Sequence, residues 1–596
     1  MKKNILTLFI VSFYSFTITA QETDVNKQLK DFDQYMAQTL KAWNTPGACV
    51  GIVVKDKLVF AKGYGYRDYE KKLPVTANTL YQIASNTKLF TTIAAGMLVD
   101  QGKLDWDKPV KNYVPSIQFY NDDLTNTITI HDMLSHRTGV SRHDLIWYKS
   151  DFSRKELFEK LKYLEPSQPL RQGFLYNNLM YAASGYIIEL LTGKTWEDFV
   201  RENIFSPLNM NSTVFSIEDM TKQPDYGVPY NEKRDTNILY RIPFYEETGG
   251  LGPAGSIISN VNDMSHWLIA LINDGKYNGR QVLPSSAVRA SLVPSVALPN
   301  TSLEKGYNEI LNPVYCVGRQ QVSYRGHLLV YHGGDLPGFH SQISYMPQDS
   351  IGVVVFVIGD QSYPLYNTIT YNVYERLLGL SLTPWSDRSL KDYNEGKKLS
   401  REARGKAAFG KVEGTKPSHP LDDYPGQYEN PAYGVISIEK KDTGMQFKLH
   451  HIVLPLNHFH YDRFDTPNDE EVGLYSVNFK TNPQGDIDRL VISLDENEAT
   501  FIRKPDSSLS DPKTLSVYIG KYEFAGFIVN VVLKNENELF ISAPGQPDIK
   551  LIPYKERIFH TKEFADMTFE FIIENGQVKA MRQKDPSGEY EFNTKQ

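Results

Sequence analysis

The chain has 596 residues, of which 41% are hydrophobic and 23% charged, and its formal net charge is −7. That length indicates several domains, and the composition is typical of globular proteins, which excludes a wholly disordered chain. A mildly acidic chain lacks the basic footprint of nucleic-acid binding, so we expect no nucleic-acid partner. Two cysteines, Cys49 and Cys316, exclude a disulfide scaffold and a cysteine-ligated zinc site; one bridge and two separate buried thiols both remain open.

The N-terminus predicts an export signal. Lys2 and Lys3 precede an uncharged stretch at residues 5–20, and polar character begins after the small residue Ala20. This is the pattern of a secretory signal peptide at residues 1–20, cleaved near Ala20; a retained anchor is the alternative. No later segment reaches the roughly 18 consecutive apolar residues of a membrane span. We therefore expect a periplasmic or secreted protein whose mature chain has no integral membrane span.

Residues 21–385 predict strands at both ends with helices between them. Residues 47–65 predict two strands joined by a tight turn, and residues 314–358 contain four strand-like pieces divided by Gly, Pro and Asp. Helical periodicity is found at residues 79–101, 174–192, 194–204 and 364–380. The economical arrangement is one antiparallel sheet, built from both ends of this unit and covered by helices, which is an α+β fold.

The rest of the chain predicts a linker and two β domains. Residues 386–420 hold many charged and few large apolar side chains, as expected for a solvated helix and linker. Short alternating runs bounded by Gly, Asn, Asp and Pro then predict small antiparallel β-barrels or sandwiches at residues 421–505 and 506–596. A Tyr-x-Gly-x-Tyr sequence occurs at residues 424–428 and again at 518–522, which supports two similar units.

The strongest chemical signal is a serine one helical turn before a lysine. Ser85 and Lys88 are at positions i and i+3 of a predicted helix, so their side chains share one face. A serine hydroxyl becomes a nucleophile when a base lies within hydrogen-bond reach, and lysine serves when burial or a neighbouring cation lowers its pKa. The almost uncharged run after Lys88 predicts a buried helix, which favours a catalytic pair over a helix cap beside a solvated lysine.

Two further elements offer groups for the same chemistry. Tyr176 and Asn178 lie beside a predicted helix, where a tyrosinate-leaning phenol relays a proton and an amide orients lysine and substrate. Taken alone, this pair is more typical of a turn. His332, Gly333 and Gly334 lie on a predicted strand, and the two glycines let another backbone approach. Backbone N–H groups at this point can donate hydrogen bonds to an oxyanion or pair with a peptide-like substrate.

In this order and spacing the three elements resemble those of the serine β-lactamase-like hydrolases. That group includes class C β-lactamases, penicillin-binding DD-peptidases, D-aminopeptidases and esterases. The resemblance covers about residues 30–380 and extends to LVFAKGYGYRD, TITIHDMLSHRTGV and GGLGPAGSIISNVNDMSHWL. It implies a β-lactamase/DD-peptidase-like catalytic domain at residues 21–385. It also implies that Ser85 is the acylated nucleophile, Lys88 its base, Tyr176 the proton relay to the leaving group, and Asn178 the last member of the Tyr-x-Asn element.

The third of these elements, His332-Gly333-Gly334, is called the third motif below, and it departs from the family pattern. The resemblance matches His332 and Gly334 to its first and last positions, and it implies that the backbone amide of Asp335 joins that of the nucleophile in the oxyanion hole. Most β-lactamases and DD-peptidases have Lys-Thr-Gly here, whereas His332-Gly333-Gly334 is similar to the form in D-aminopeptidases and esterases. An imidazole that titrates near neutrality replaces a permanent cation, so we expect slow β-lactam hydrolysis.

The sequence therefore predicts an exported serine hydrolase that forms an acyl-enzyme on small peptides, amides or short esters, including those with D-residues. It predicts no cofactor. One alternative is a class C-like β-lactamase or DD-carboxypeptidase, and another is a non-hydrolytic protein that binds penicillin or a peptidoglycan fragment. The complete set Ser85, Lys88 and Tyr176 argues against a binding protein, because a sensor need not keep all three. The sequence leaves the substrate and the oligomeric state open.

Histidines outside the three motifs carry weaker signals. His458 and His460 alternate with Asp462 on a predicted strand and so share one face, which leaves a zinc site as an alternative to a polar strand face or an interdomain contact. No metal ligand is assigned, because the predicted serine hydrolase mechanism needs no metal. His131, His136 and His143 are expected to be structural or to line the pocket. The resemblance further implies that the two β domains match the barrels of D-aminopeptidases, in which a barrel loop reaches the active-site mouth.

Overall fold

The structure is a computed structural model that describes residues 25–246, 250–406, 410–442, 444–494, 497–505, 507–535, 537–561, 563–564 and 566–595. The predicted signal peptide at residues 1–20 lies outside the described residues. Within the described ranges, no helix combines the length and the apolar character that a membrane crossing requires.

Helices lie mainly in the first 404 residues, and strands dominate after them. The helices are α1 Val25–Gln28, α2 Phe32–Ala42, α3 Thr87–Asp100, α4 Asp122–Thr127, α5 Ile130–Leu134, α6 Arg154–Lys160, α7 Asn178–Thr192, α8 Trp196–Val200, α9 Ile217–Thr221, α10 Gly252–Gly255, α11 Val261–Ile272, α12 Ser285–Ala290, α13 Thr301–Glu304, α14 Leu365–Leu377, α15 Trp385–Arg404 and α16 Pro512–Ser516. The strands before the linker are β1 Gly47–Val54, β2 Lys57–Asp68, β3 Leu73–Pro74, β4 Tyr81–Gln82, β5 Tyr230–Glu232, β6 Leu239–Arg241, β7 Ile258–Ser259, β8 Lys276–Tyr277, β9 Arg280–Gln281, β10 Val296–Ala297, β11 Ile310–Tyr315, β12 Gln320–Tyr324, β13 His327–Leu336, β14 Phe339–Met346 and β15 Ile351–Ile358.

One antiparallel sheet is built from both ends of this unit, as the sequence predicts. Among the described residues its strand order is β10-β11-β12-β13-β14-β15-β1-β2-β3. The first strand pairs with the last, so that Gly47 lies opposite Ile358 and Val54 opposite Ile351. β1 and β15 are unbroken apolar runs because both faces of the sheet are covered there. The predicted α+β fold is confirmed.

The sequence predicts four strand pieces over residues 314–358, whereas the structure has five strands in this part of the sheet. The first predicted piece contains a turn, and the chain reverses between β11 and β12. Gly318 in this turn has φ 76°, a left-handed conformation that glycine adopts without strain. The prediction of a single strand was wrong here, and the hairpin brings Tyr315 beside β13.

Helices cover both faces of the sheet. On one face α11 packs against β1 and β15, and Gly51 permits the contact, because a Cβ there would lie 2.4 Å from Val261 Cγ1. α3 is buried along almost its whole length on this side. On the other face α2, α14 and Trp385 form a second core. Cys49 and Cys316 are separate buried free thiols, so of the two alternatives for the cysteines the structure has the unbridged one.

The helix predicted at residues 79–101 begins later, at Thr87. β4 pairs with β7, which keeps the preceding residues extended, and one tight turn over Ala84–Asn86 follows before α3. Ala84 has φ 50°, a conformation that costs energy in a residue with a side chain. Ser85 therefore lies in a strained strand-to-helix turn rather than inside a long helix.

Two closed antiparallel barrels follow α15, which confirms the predicted β-rich tail. The first barrel comprises, within the described residues, β16 Gly426–Asn430, β17 Gly434–Lys441, β18 Gly444–Leu449, β19 Ile452–His460, β20 Arg463–Asp465, β21 Ser476–Thr481, β22 Ile487–Leu494 and β23 Asn497–Arg503. The second comprises, on the same basis, β24 Gly520–Phe524, β25 Phe527–Lys534, β26 Glu538–Ser542, β27 Ile549–Lys555, β28 Ile558–Thr561, β29 Thr568–Glu574, β30 Gln577–Asp585 and β31 Gly588–Lys595.

The repeated Tyr-x-Gly-x-Tyr sequence forms the same contact in each barrel. The hydroxyl of Tyr428 donates to the backbone carbonyl of Tyr424 over 2.8 Å. The hydroxyl of Tyr522 likewise donates to the backbone carbonyl of Tyr518 over 2.8 Å. All four side chains are buried. The repeat therefore marks one structural device used twice, a tyrosine that ties the first strand of each barrel to the chain entering it.

The three alternating groups on β19 and just after it do not converge. A bulge between His458 and His460 breaks the alternation that would place them on one face. His458 Nε2 lies 2.9 Å from the backbone oxygen of Tyr461, and Asp462 accepts hydrogen bonds from the linker. The residues that the structure describes contain no group of three or more His, Cys, Asp or Glu side chains able to hold a metal ion.

Replacing Tyr428 or Tyr522 by phenylalanine is expected to lower the free energy of unfolding of the barrel concerned by about 1–2 kcal/mol, because a buried carbonyl loses its partner. The six tryptophans precede the linker, so tryptophan fluorescence reports the first unit and far-ultraviolet circular dichroism also follows the barrels. Urea unfolding followed by both signals gives the two unfolding midpoints. Tyr461→Phe, which removes a hydroxyl from an exposed side chain of the first barrel, is the matched control. Unchanged dichroism midpoints in both barrel variants would contradict the prediction.

Candidate active site

Ser85 and Lys88 meet on the turn after β4. Lys88 Nζ lies 3.0 Å from Ser85 Oγ and donates to the backbone carbonyl of Ala254 on α10 over 2.9 Å. Lys88 is 0% exposed, although lysine is among the residue types least often buried. α10 reaches this position because Gly185 in α7 leaves room for it: a Cβ there would lie 2.1 Å from Pro253 Cγ. The structure thus brings the predicted pair together and holds the amine from a second element.

The surroundings of Lys88 lower its pKa well below the ordinary lysine value. Burial is the main cause, the positive charge of Arg142 is the second, and the negative charge of Asp144 opposes both. A lysine in such a site gives up its proton far more readily than a solvated lysine, and a neutral amine can accept the proton of the Ser85 hydroxyl. Distance and charge state therefore both fit the role of a base.

Tyr176 contacts the nucleophile from a second side. Its hydroxyl donates to Ser85 Oγ over 2.8 Å. Its ring packs against that of His136, with 4.3 Å between ring centres, and the Arg142 guanidinium lies 5.1 Å from its ring centre. Burial raises the pKa of Tyr176, which is the opposite of the tyrosinate-leaning phenol that the sequence suggests. Tyr176 therefore keeps its proton and is suited to donate it.

Asn178, the first residue of α7, joins the helix to the loop that faces it. Its Nδ2 donates to Asp144 Oδ1 over 3.2 Å. The same carboxylate accepts from Trp147 Nε1 over 2.9 Å and from Arg142 Nε over 2.6 Å. Arg142, Trp147 and Asn178 all line the cavity beside Ser85. Sequence reasoning missed the two loop residues and Asp144 because they lie in an irregular segment, which has no spacing pattern.

The third motif lies on β13, where His332, Gly333 and Asp335 line the same cavity. Gly334 lets this strand pass close to the nucleophile turn, because a Cβ there would lie 2.1 Å from the backbone oxygen of Ile83. The glycines thus permit the close backbone approach that the sequence predicts. The position of Asp335 at the cavity wall is compatible with the predicted oxyanion role of its amide.

His332 is a neutral imidazole in this site. It is 6% exposed; its Nδ1 lies 2.6 Å from the backbone oxygen of Gly333, and its Nε2 lies 3.1 Å from the Tyr315 hydroxyl. Burial, and then the charge of Lys88, lower the pKa of His332 to about 4. The expectation of titration near neutral pH is therefore wrong. The reason is tertiary, since the neighbouring hairpin carries Tyr315 over the ring.

Of the three histidines expected to be structural or to line the pocket, His136 and His143 are buried. His136 Nδ1 accepts a hydrogen bond from the backbone N–H of Asn177 over 3.0 Å. His143 Nδ1 lies 2.7 Å from the hydroxyl of Tyr433 in the first barrel. Neither of them nor His131 lines the cavity, so within the described chain all three are structural rather than part of the pocket wall.

The cavity that these elements enclose has a volume of about 1110 Å³. Its walls are rich in aromatic rings, which include Trp147, Phe215, Phe244, Tyr245, Tyr331, Tyr363, Tyr366 and Tyr371. Its charged lining residues in the described chain are Arg142, Glu218, Glu246 and Asp335. No described residue of either barrel lines it, so the barrel loop that the resemblance implies at the mouth is not found there.

Comparison with known proteins shows the family to which this chain belongs. Residues 32–377 match the Beta-lactamase family, and residues 410–503 match a domain of unknown function, DUF3471. The unguisins hydrolase of Aspergillus campestris is 30% identical over 441 residues, which cover 69% of this chain and 77% of the relative. The unguisins hydrolase of Aspergillus violaceofuscus is 26% identical, with coverage of 62% and 68%. The octameric penicillin-binding protein homologue from Pyrococcus abyssi shares the fold, with a TM-score of 0.52, 19% identity, and coverage of 95% and 100%. The chain belongs to the Beta-lactamase family, whose members with this fold are serine hydrolases.

Proposed function

We propose that the chain is an exported serine hydrolase that cleaves small peptides, amides or esters through an acyl-enzyme on Ser85. The observation that carries this proposal is the position of Ser85 Oγ, 3.0 Å from Lys88 Nζ and 2.8 Å from Tyr176 Oη. A nucleophile placed between a neutral amine and a protonated phenol has both partners that acyl transfer requires. The names of the related Aspergillus proteins support a hydrolytic reaction.

In the proposed acylation, Lys88 takes the Ser85 proton as Oγ attacks the substrate carbonyl carbon. The backbone N–H groups of Ser85 and Asp335 stabilise the oxyanion. Tyr176 gives its proton to the leaving amine or alcohol as the C–N or C–O bond breaks, and it regains a proton from Lys88. In deacylation a water attacks the ester carbonyl carbon and the bond between that carbon and Ser85 Oγ breaks. The water proton passes through Lys88 and Tyr176 to Ser85 Oγ, and the carboxylic acid product leaves.

The charges at the cavity favour substrates without a carboxylate near the reacting bond. Its charged lining in the described chain is one arginine, which is paired with Asp144 over 2.6 Å, and three carboxylates. His332 is neutral, so it supplies no cation where relatives with Lys-Thr-Gly have one. A β-lactam or a DD-peptide carboxylate therefore meets a net negative wall. This favours neutral amides and esters over the β-lactamase and DD-carboxypeptidase alternatives.

A hydrolysis screen with D-amino-acid amides, p-nitrophenyl esters and nitrocefin tests this proposal. Turnover of an amide or ester well above that of nitrocefin is the expected result. Faster nitrocefin turnover would support the β-lactamase alternative, and labelling of Ser85 by penicillin without turnover of any substrate would support a binding protein. Export is tested separately by mass spectrometry of the mature protein, which is expected to begin after Ala20; a retained Met1 would contradict it.

Ser85→Ala is expected to lower kcat at least about 1000-fold, because the acyl-enzyme has no other attachment point. Initial rates with the best substrate of the screen measure the loss, and circular dichroism checks that the fold is retained. Ser302→Ala, at a serine that lines the same cavity outside the three motifs, is the control and is expected to stay within about threefold of wild type. A serine-directed phosphonate found by mass spectrometry on any residue other than Ser85 would refute the assignment.

Lys88→Arg is expected to be nearly as inactive as Lys88→Ala, each losing about 100-fold or more in kcat/KM, because arginine stays protonated and cannot take the serine proton. Lys103→Arg, at an exposed lysine just beyond α3, is the matched control. The comparison uses kcat/KM on one neutral substrate for all three variants. Substantial activity in Lys88→Arg would remove the amine from the mechanism.

The pH dependence is expected to come from Lys88 and not from His332. The kcat/KM for a neutral amide falls as the pH drops through the lowered pKa of Lys88, since the protonated amine is no base. His332, whose pKa is about 4, stays neutral from about pH 5.5 to about pH 8. The ratio of kcat/KM for a matched carboxylate and carboxamide substrate is therefore constant over that range. A ratio that changes along a sigmoid near pH 6.5 would show that His332 titrates there.

A further inference from the structure

One short segment connects the active site to the first barrel. Residues 141–152, the wall segment, lie between α5 and α6. On the side of the cavity, Arg142 and Trp147 line the substrate space. Asp144 accepts hydrogen bonds from both of them, and the Arg142 guanidinium lies 5.1 Å from the ring centre of Tyr176. The position of this segment therefore decides what faces the proposed proton donor.

The other side of the wall segment contacts the first barrel through two histidines, one from the segment and one from the barrel. His143 Nδ1 lies 2.7 Å from the hydroxyl of Tyr433, and both side chains are buried. His450 Nε2 lies 3.1 Å from the backbone oxygen of Leu145. The His450 ring also packs edge-on against Phe152, with 5.4 Å between ring centres. Both ends of the segment are thus attached to barrel residues.

Further contacts fill the middle of this interface. Glu471 of the barrel accepts from Tyr148 Oη over 2.9 Å and pairs with Lys149 Nζ over 2.7 Å. The backbone oxygen of Lys149 accepts from the N–H of His451 over 3.1 Å. Tyr148 also stacks on Tyr245, a cavity-lining ring, with 5.7 Å between centres. Tyr148 therefore joins the barrel directly to a second part of the cavity wall.

The backbone of the wall segment is strained where the barrel holds it. His143 has φ 49°, in the left-handed region that residues with a side chain adopt at a cost. Burial lowers the pKa of His143 to about 4, so the ring is neutral and its contact with Tyr433 is an ordinary buried hydrogen bond. A strained conformation persists when its surroundings over-determine it, and here those surroundings include the barrel.

We propose that the first barrel positions the active site by holding the wall segment, with Tyr433 and His450 as its positioning residues. The proposal rests on the hydrolase function proposed above. Since no described barrel residue lines the cavity, the barrel acts through Arg142 and Trp147 and not by touching the substrate. A barrel contact that shifts the segment changes the groups around Tyr176 without altering any residue of the three motifs.

The wall segment also sets part of the charge around the base. The titratable or charged groups that face Lys88 are Ser85, Tyr176, Tyr181, His136, His332, Arg142 and Asp144. Of the two that belong to the wall segment, Arg142 lowers the pKa of Lys88 more than Asp144 raises it. When the segment loosens, the net effect is a higher pKa of Lys88, so that the neutral amine is lost at a higher pH.

Tyr433→Phe in the full chain tests the proposal, and Tyr428→Phe is its matched control. Both remove one buried hydroxyl from the first barrel, but Tyr428 bonds within the barrel and not to the wall segment. The measurements are kcat/KM against pH and hydrogen exchange of residues 141–152. Tyr433→Phe is expected to lower kcat/KM roughly threefold to tenfold, to move the acid limb to higher pH and to speed exchange in the wall segment. Tyr428→Phe is expected to change none of the three.

His450→Phe provides a second variant, which keeps the ring contact with Phe152 but loses the bond to Leu145, and the same three changes are expected. Faster exchange with an unchanged rate and pH profile would overturn the proposal, as would equal losses in Tyr433→Phe and Tyr428→Phe. If the wild-type protein neither hydrolyses a substrate nor reacts with a serine-directed phosphonate, the proposed function itself fails. An active wild type whose Tyr433→Phe and His450→Phe variants match it refutes only the positioning role.

Discussion

A lysine amine buried beside a serine hydroxyl is the feature on which the rest of this molecule depends. Burying a charged ammonium costs several kcal/mol, so a buried lysine favours its neutral form. At Lys88 the nearby charge of Arg142 adds to this effect, and the carbonyl of Ala254 gives the amine a fixed partner. The site thereby makes the lysine amine a base, whereas an exposed lysine is a cation. This works only while the lysine side chain stays buried, as it is in this structure.

Two glycines permit the close contacts that build the enclosure. Gly185 lets α10 press on α7, and this places the Ala254 carbonyl against the lysine. Gly334 lets β13 pass beside the nucleophile turn, where any side chain would collide with the backbone of Ile83. The Ala254 carbonyl and the Ile83 carbonyl are backbone atoms, so a small displacement of α10 moves the partner of Lys88 directly, and a small displacement of β13 acts directly on the nucleophile turn. The strained turn at Ala84 is fixed between them, which orients Ser85 toward both of its partners.

The first barrel extends this enclosure beyond the part of the chain that matches the Beta-lactamase family. It coincides closely with the match to a domain of unknown function at residues 410–503. Through its contacts with the wall segment, the first barrel holds the loop that carries Arg142 and Trp147. This is the role that we propose for the domain in this protein. The second barrel repeats the first in its tyrosine contact, but the cavity lining includes none of its described residues either.

The sequence by itself determined whatever depends on near neighbours in the chain. The Ser85–Lys88 spacing places two side chains on one helical turn, the paired glycines of β13 indicate a close approach, and the Tyr-x-Gly-x-Tyr repeat marks each barrel. The tertiary structure decided whatever depends on distant residues. The neutral state of His332 follows from burial beneath the Tyr315 hairpin, and the role of Arg142 follows from a loop held by Tyr433, 290 residues beyond His143. A pKa or a loop position is the sum of contacts from several elements, and local sequence does not encode which elements will meet.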